Sequence, residues 1–255
     1  MDPRGWLGFL EELANGADPT ALRYFRSQDL RVEEKPSLGP VSEADLAIEE
    51  AARRLTSQRH PGLGILGEEQ GETTGPGETR LIIDPIDATR NFVRGIPIFA
   101  SLFAIEEAGE VVAGLVSAPA LATRWSAARG EGAFRGNRKL RVSGIRDLAR
   151  AQLFHGSLGG IEATQLLPGL TALLQRTERQ RGFGDFYQHV LVAEGAGEIA
   201  VDPVVWPWDI APHLVLVEEA GGRGTSLRGE RSIYAGSFVS SNGATHEEAL
   251  RILAG

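Results

Sequence analysis

Apolar and polar positions change their spacing along the chain, and the first quarter is predicted to be mainly helical. Helical spacing runs from Trp6 to Leu13 and again from Ala21 to Phe25. The segment Asn-Gly-Ala-Asp-Pro at 15–19 is expected to interrupt or bend that helix. A charged, proline-containing loop is expected from Gln28 to Pro40, and an amphipathic helix begins near Ser42.

The spacing then changes to short apolar runs that are typical of strands. Gly130, Gly132 and Gly136 mark turns between the later runs, and residues 107–110 predict a hairpin turn. The first half of the chain is therefore predicted to contain an antiparallel sheet. Its strands are predicted at Leu81–Ile83, Ile98–Ile105, Val111–Ser117, Thr123–Ala127 and Leu140–Ser143.

From about Ala151 short strands alternate with longer helical runs. The change predicts a boundary near Ile145, which divides the chain into an N-terminal half (1–145) and a C-terminal half (146–255). The predicted strands of the second half are Gln152–Phe154 and Glu198–Val201, and the predicted helices are Ala163–Arg176, Asp185–Gly195, Asp209–Ala220 and Thr245–Leu253.

The densest group of chemically useful side chains follows the predicted strand Leu81–Ile83. The sequence there is Asp-Pro-Ile-Asp-Ala-Thr-Arg-Asn-Phe, residues 84–92. Because magnesium prefers oxygen ligands, the carboxylates of Asp84 and Asp87 can converge on a cation across the Pro-containing turn, and the Ile86 carbonyl can join them. The chain after Asp87 is predicted to start a helix, whose free N–H groups favour an anion. The residues also permit an ordinary turn at Asp84 with Asp87 as a helix N-cap.

Residues 84–92 resemble the Asp-Pro-(Ile/Leu)-Asp-Gly-Thr sequence of the inositol monophosphatase family. The members of this family are magnesium-dependent, lithium-sensitive phosphomonoesterases. One position departs, since Ala88 stands where that family usually has Gly. Two other segments resemble the family in the same order along the chain, 65–69 (Ile-Leu-Gly-Glu-Glu) and 208–222, which opens Trp-Asp-Ile-Ala and closes Glu-Glu-Ala-Gly-Gly. The resemblance covers nearly the whole chain. It implies an α+β fold, a layered αβαβα sandwich with an antiparallel sheet in the N-terminal half, a mixed sheet in the C-terminal half and the site between them.

The resemblance also implies which residues do what. Mg²⁺ would be held by oxygen ligands and would activate a water molecule, so that no covalent intermediate is needed. The implied metal ligands are Glu68, Asp84, the Ile86 carbonyl, Asp87 and Asp209. The implied catalytic residues are Asp45, Glu68 and Thr89, in which Asp45 pairs with Thr89 to orient the attacking water. Asp87 and the backbone N–H groups of Ala88 and Thr89 would hold the phosphate.

Each of these residues also has a plain structural interpretation. Ser42 and Asp45 approximate a capping box at a helix start, so Asp45 could serve only as a cap. Asp209 could likewise cap the helix that follows it, with Pro212 tolerated in the first turn. A Glu pair such as the one beginning at Glu68 is most often a solvated edge.

Composition restricts the partners. The formal net charge of −8 argues against a nucleic-acid groove, which needs a basic face, and leaves a small phosphorylated substrate as the expected partner. The absence of Cys excludes disulfides, thiolate catalysis and Cys-ligated zinc. No apolar run has transmembrane length and no signal peptide is evident, so no membrane association and a cytoplasmic location are expected. A homodimer is expected.

The segment Arg181–His189, with 91–97 and the early Lys35-Pro36, is more similar to the bacterial histidinol-phosphatases of this superfamily than to typical inositol phosphatases. Histidinol phosphate carries an ammonium group and an imidazole, which an acidic wall suits. Asp185 and Asp202 are the candidate substrate-binding carboxylates, although Asp185 could be an N-cap and Asp202 a turn residue. His189 is expected to be packed or hydrogen-bonded rather than catalytic.

The sequence alone leaves three possible functions. The first is a histidinol-phosphatase of histidine biosynthesis, and the second is an inositol-1-monophosphatase or a broad sugar-phosphate phosphatase. The third, from another class, is a family member that binds a protein partner and has only vestigial activity. The intact set of carboxylates argues against the third, because they would repel one another without a metal.

Overall fold

Helices and strands follow one another along the whole chain in this computed structural model, which describes residues 2–35, 39–158 and 161–255. The helices are α1 Pro3–Tyr24, α2 Glu43–Arg59, α3 Thr89–Val93, α4 Ile161–Arg176, α5 Asp185–Ala193, α6 Pro207–Glu219 and α7 His246–Leu253. The strands are β1 Val32–Lys35, β2 Gly39–Ser42, β3 Gly64–Gly67, β4 Gly71–Thr73, β5 Thr79–Asp87, β6 Ala100–Glu107, β7 Glu110–Ala118, β8 Thr123–Ala128, β9 Gly132–Arg135, β10 Arg138–Lys139, β11 Gln152–His155, β12 Arg179–Arg181, β13 Ile199–Asp202, β14 Arg223–Thr225 and β15 Phe238–Ser241.

Two large sheets organise the described part of the chain. The first has the strand order β10-β9-β8-β7-β6-β5-β3-β4 and is antiparallel except where β3 runs parallel to β5. The second has the order β12-β11-β13-β15-β14 and is mixed, with β11 parallel to β12 and β13, and β15 antiparallel to both of its neighbours. The prediction of one antiparallel and one mixed sheet is confirmed, apart from the single parallel pair in the first sheet.

Helices cover both sheets and give five layers. Helices α1 and α2 pack on the outer face of the first sheet, and α5 and α6 lie between the two sheets. Helices α4 and α7 cover the outer face of the second sheet. The αβαβα sandwich expected from the sequence is therefore the fold. Within the described ranges, no helix is long and apolar enough to cross a bilayer.

Strand β5 is an interior strand of the first sheet, between β6 and β3, and is buried on both faces. Leu81 and Ile83 pack under α1 and α2, whereas Ile82 faces the layer of α6. A strand covered on both faces has a continuous apolar sequence rather than an alternating one, which is why Leu-Ile-Ile precedes the acidic turn that contains Asp84 and Asp87. This interior strand fixes the position of the acidic turn at its end.

The segment 15–19 was predicted to interrupt or bend the first helix, and the interruption is wrong, because α1 runs through these residues without a break. Ala17 is buried against the first sheet, and Asp18 forms an ion pair with Arg124 at 2.6 Å. These tertiary contacts outweigh the unfavourable helix propensities of Gly16 and Pro19.

Two other segments differ from the prediction. The expected loop at Gln28–Pro40 contains the antiparallel pair β1 and β2, while Pro36, Ser37 and Leu38 lie outside the described residues. The expected strand Leu140–Ser143 is absent, because Leu140 N–H bonds to Ala133 and Val142 N–H bonds to Ala220. The two donors bond to different parts of the chain, so no ladder forms. The proposed division at residue 145 stays a prediction.

Candidate active site

An open cavity of about 470 Å³ collects most of the side chains that the sequence singled out. It lies where the end of β5, the turn after β3, the start of α5 and the start of α6 meet. Its acidic lining residues are Glu68, Asp84, Asp87, Asp185 and Asp209. Four separate chain segments therefore direct carboxylates into one cavity.

The acidic turn is produced by an irregularity at the end of β5. Pairing with β6 is regular up to Asp84 and resumes at Asp87, with a register shift between them. The Ser101 hydroxyl donates to the Pro85 carbonyl at 2.6 Å and holds the bulged segment in place. A bulge re-aims the side chains of its strand. Here it allows carboxylate oxygens of Asp84 and Asp87 to approach each other and that of Asp209, all within 4.8 Å.

These three carboxylates suit a cation. Asp84 is buried, and its Oδ1 has no hydrogen-bond partner among the described residues. Burial raises the pKa of Asp84 well above its usual value, and the negative charges of Glu68, Asp87 and Asp209 raise it further. An unpaired buried carboxylate beside other carboxylates is unfavourable unless positive charge is added. The donor set is all oxygen, as magnesium prefers.

Glu68 lies beside this cluster and is held by a basic residue. It follows β3, and its N–H bonds to the Ile83 carbonyl of β5 at 3.2 Å. Its carboxylate accepts a hydrogen bond from Lys35 Nζ at 3.1 Å, and Lys35 also binds Glu69 at 2.9 Å. The structure thus places Glu68 in the cavity, where its charge acts on Asp84.

A buried carboxylate that sequence reasoning missed shapes the Glu68 turn. Glu49 of α2 accepts the backbone N–H groups of Glu69 and Gln70 at 2.8 and 3.1 Å, and it pairs with Arg53. A Cβ at Gly67 would lie 2.2 Å from Glu49 Oε1. Gly is therefore required before Glu68. The sequence signal was only a Glu–Arg pair four residues apart on a helix, which is usually a surface feature.

Ala88 adopts a backbone conformation that favours Gly, the residue that the inositol monophosphatase family usually has at this position. Its φ is 65° and its ψ 45°, in the left-handed region, and it is the N-cap residue of α3. This region is unfavourable for Ala, because the Cβ approaches the backbone. The Ala88 carbonyl nevertheless accepts the N–H groups of Asn91 and Phe92 and starts the helix.

Asp45 and Thr89 were predicted to pair, and the structure gives each of them a different hydrogen bond. Asp45 Oδ2 accepts the N–H and the hydroxyl of Ser42 at 2.8 and 2.6 Å, which completes the predicted capping box. The Thr89 hydroxyl donates to the Ile86 carbonyl at 2.9 Å. Asp45 Oδ1 is buried with no partner in the described part of the chain. Burial raises the pKa of Asp45 to about 7. The catalytic pairing stays a prediction.

Asp209 lies in the first turn of α6 rather than at its N-cap position. The helix begins at Pro207, and Asp209 Oδ2 accepts the N–H of the N-cap residue Trp206 at 2.8 Å. Pro212 consequently lies in the helix interior, not in the first turn as predicted. Burial raises the pKa of Asp209 to about 8, and the carboxylate of Glu68 adds to this effect. Asp209 therefore caps the helix and still reaches the cluster.

Asp185 is not the cap of α5. The N-cap residue is Gly184, and the acceptor for the N–H of Phe186 is Asp87 Oδ2 at 2.7 Å. Asp185 has a φ of 50°, a left-handed conformation that Asp tolerates better than most residues. The enclosing walls of the site and the charge of Asp202 raise the pKa of Asp185 to about 7, although much of the residue is exposed to the cavity.

Asp202 is held by a polar chain that the sequence did not reveal. Its Oδ2 accepts Nε2 of Gln188 at 2.5 Å and lies 3.0 Å from Nε2 of His189, whose Nδ1 is 2.8 Å from the Ser240 hydroxyl. The expectation that His189 is hydrogen-bonded is confirmed. A Cβ at Gly156 would lie 2.6 Å from Asp202 Oδ1, so this Gly leaves room for the carboxylate.

A smaller cavity of about 70 Å³ joins Asp202 to the cluster. Its lining includes Asp87, Asp185, His189, Asp202 and Asp209. The two predicted substrate carboxylates and two of the predicted metal ligands thus share one space. Asp185 lines both cavities, whereas Asp202 lines only the smaller one of the two.

Comparison with known proteins agrees with this geometry. The sequence pattern of the inositol monophosphatase family matches residues 2–254. The histidinol-phosphatase of Mycobacterium tuberculosis is 45% identical over 93% of this chain and 94% of its own length. The inositol-1-monophosphatase of Rhizobium meliloti is 36% identical over 84% of this chain and 83% of its own length.

The fold has a counterpart among solved structures. The crystal structure of the extragenic suppressor protein SuhB from Bartonella henselae superimposes with a TM-score of 0.92 at 30% identity, covering 98% of both chains. The sequence pattern, the relatives and the fold therefore agree from end to end, and the resemblance first seen at residues 84–92 is confirmed. The chain belongs to the inositol monophosphatase family.

Proposed function

We propose that this chain is a magnesium-dependent phosphomonoesterase that hydrolyses L-histidinol phosphate to L-histidinol and phosphate, a step of histidine biosynthesis. The observation that carries the proposal is the convergence of Asp84, Asp87 and Asp209 within 4.8 Å in an open cavity, with one buried oxygen of Asp84 unpaired among the described residues. Such an arrangement fits a cation that holds a phosphate group.

Glu68, Asp84, the Ile86 carbonyl, Asp87 and Asp209 are the proposed metal ligands. Bound Mg²⁺ would supply the positive charge that lowers the pKa of a water molecule and stabilises the charge on the phosphate. The carboxylate of Glu68 now lies 3.1 Å from Lys35 Nζ. Glu68 must therefore release this ammonium group when it binds Mg²⁺. A family member with vestigial activity would have no need to keep these buried carboxylates together.

The chain's own groups orient the reactants. The backbone N–H groups of Ala88 and Thr89, at the start of α3, would hold phosphate oxygens. The unpaired Oδ1 of Asp45 supplies an acceptor for the Thr89 hydroxyl, which would turn from the Ile86 carbonyl to orient the attacking water. Positioned proton acceptors of this kind contribute roughly 10²–10⁴-fold to rates.

The carboxylates outside the metal ligands support the choice of substrate. Asp185 is exposed to the cavity, and Asp202 lies behind it with its Oδ2 held by Gln188 and His189. An ammonium or imidazolium group would be attracted to this acidic wall, whereas the neutral hydroxyl groups of inositol would not. The relative named histidinol-phosphatase is also more similar to this chain than the one named inositol-1-monophosphatase.

Inositol 1-phosphate is the alternative substrate, because the same ligands would hold any phosphate monoester. The experiment that separates the two is phosphate release from histidinol phosphate, inositol 1-phosphate, fructose 1,6-bisphosphate and a nucleotide 3′-phosphate, with magnesium and with chelator. The proposal expects the highest kcat/KM for histidinol phosphate and no turnover with chelator. A preference for inositol 1-phosphate would replace it by the alternative, and no turnover of any substrate would favour a partner-binding role.

The proposal also includes a cytoplasmic location and a homodimer, as expected from the sequence. Cell fractionation tests the first, and light scattering of the purified chain tests the second. A monomer in solution would remove the dimer from the proposal without affecting the catalytic assignment.

A further inference from the structure

One wall of the cavity is aromatic, and no part of the metal or phosphate chemistry uses it. Trp206 and Trp208 line the cavity, and their rings stack with centroids 5.7 Å apart and planes 13° from parallel. Trp206 remains 46% exposed, and Phe183, another lining residue, is 37% exposed. Large aromatic side chains dominate binding energetics when they become covered. An exposed, stacked indole beside a substrate cavity therefore offers a surface for a flat group.

The position of this indole is fixed relative to the metal site. Trp206 is the N-cap residue of α6, and its backbone N–H donates to Asp209 Oδ2 at 2.8 Å. Trp208 lies one residue before Asp209 and supports the Trp206 ring from one side by stacking. The same helix start thus presents a metal ligand and an aromatic face. A substrate whose phosphate is held at the carboxylate cluster would place its other end against this wall.

The cavity carries charge as well as aromatic surface. Asp185 lines the same cavity, and the face of an indole carries partial negative charge that attracts a cation. A cationic ring would satisfy both features, since it can stack on Trp206 and pair with a carboxylate. A neutral polyol gains neither interaction. The lining therefore discriminates by the group attached to the phosphate rather than by the phosphate itself.

We propose that Trp206 is a specificity-determining residue whose indole face receives the imidazole ring of the substrate. This inference rests on the proposed function, because it assigns a place to the part of histidinol phosphate that the metal does not touch. A protein partner that docks on the exposed Trp206 is the competing explanation for its exposure, and the same experiment decides between them.

The test compares Trp206→Leu with the matched control Trp206→Phe, since both keep the backbone N–H that donates to Asp209 Oδ2. We measure kcat/KM for histidinol phosphate and for glycerol 2-phosphate, which has no ring. The inference expects the ratio of the two values to fall about tenfold in the Leu variant, the order of a cation–π contact in a desolvated site. The Phe variant should keep the ratio within about threefold of wild type.

Inhibition by histidinol provides a second measurement, which does not require turnover of histidinol phosphate. Its inhibition constant against glycerol 2-phosphate hydrolysis should rise about tenfold in Trp206→Leu and little in Trp206→Phe. If wild type hydrolyses glycerol 2-phosphate but not histidinol phosphate, the proposed function fails, and histidinol inhibition alone then decides the inference. An unchanged ratio and inhibition constant in the Leu variant, or equal losses in the Leu and Phe variants, would overturn it and favour a docking role.

Discussion

Asp87 accepts a hydrogen bond from the backbone N–H of Phe186, with 2.7 Å between its Oδ2 and the nitrogen. The residue that precedes Phe186 is Asp185, and the N-cap residue Gly184 has no side chain to perform this capping. A proposed metal ligand on β5 therefore also caps α5, the helix that carries the proposed substrate carboxylate. This contact therefore connects the proposed metal ligand Asp87 with the helix start that carries the proposed substrate carboxylate.

Removing the charge of Asp185 should alter specificity more than catalysis. A hydrogen bond to a charged group is worth about 1.5–3 kcal/mol, so Asp185→Asn should lower kcat/KM for histidinol phosphate about tenfold or more. The loss should be much smaller for inositol 1-phosphate, which has no cationic group. Glu50→Gln, on the exposed face of α2, removes the same charge away from the site and serves as the control. Equal losses for both substrates would mean that Asp185 serves only the structure of α5.

Thr89 should affect the chemical step. If its hydroxyl orients the attacking water, Thr89→Ala should lower kcat by roughly 10²–10⁴-fold with little change in substrate affinity. Thr89→Ser keeps the hydroxyl and should retain most of the activity. Steady-state kinetics with histidinol phosphate separates the two parameters. A change confined to KM would show that Thr89 only positions the phosphate.

Ala88 should be a point of backbone strain. Its φ of 65° is unfavourable for Ala and free for Gly, so Ala88→Gly should raise the free energy of unfolding by roughly 0.5–1 kcal/mol. Ala51→Gly, in the middle of α2, should instead lower it by about 1 kcal/mol. Urea denaturation measures both. Destabilisation by Ala88→Gly similar to that of Ala51→Gly would show that residue 88 does not hold the left-handed conformation.

His246 should make stability depend on pH. It is buried between the hydroxyl groups of Thr225 and Ser241, and burial lowers its pKa to about 4. The unfolded chain therefore binds the proton of His246 more tightly than the folded chain does. The contribution of His246 to the free energy of unfolding is complete above its ordinary pKa of 6.5 and is lost as the pH falls towards 4.

The comparison of wild type with His246→Gln isolates this contribution. Between about pH 7.5 and about pH 5, the wild-type free energy of unfolding should fall by about 2 kcal/mol more than that of the variant. Urea denaturation at several pH values gives both curves. Parallel curves would mean that the pKa of His246 is the same in the folded and the unfolded protein.

The parts of the site that could be predicted from sequence lie within short segments. The turn at 84–92 contains the proposed ligands Asp84 and Asp87 and the start of α3, which is proposed to bind phosphate, and it directly follows the apolar residues of β5. This part of the site could be predicted because the carboxylates and the strand and helix start that position them are neighbours in the sequence. Asp209 could be predicted for the same reason, because it lies in the first turn of α6.

The parts that could not be predicted depend on contacts between distant segments. Glu49 reads as one member of a surface ion pair, and only the packing of α2 beside β3 places it under the turn at Glu68. The chain from Ser240 through His189 to Asp202 joins β15, α5 and β13. The continuous α1 had the same origin, because burial of Ala17 against the sheet outweighs local propensity. No periodicity within one segment contains this information.

The central claim is that the crowded carboxylates form a magnesium site. Calorimetric titration of Mg²⁺ into wild-type protein and Asp84→Asn, both with inorganic phosphate present, tests it directly. Asp84→Asn should remain folded and be at least as stable without metal, because it removes a buried, unpaired charge. The account predicts saturable binding to wild type and none to the variant. Equal binding to both proteins, or no binding to wild type, would contradict it.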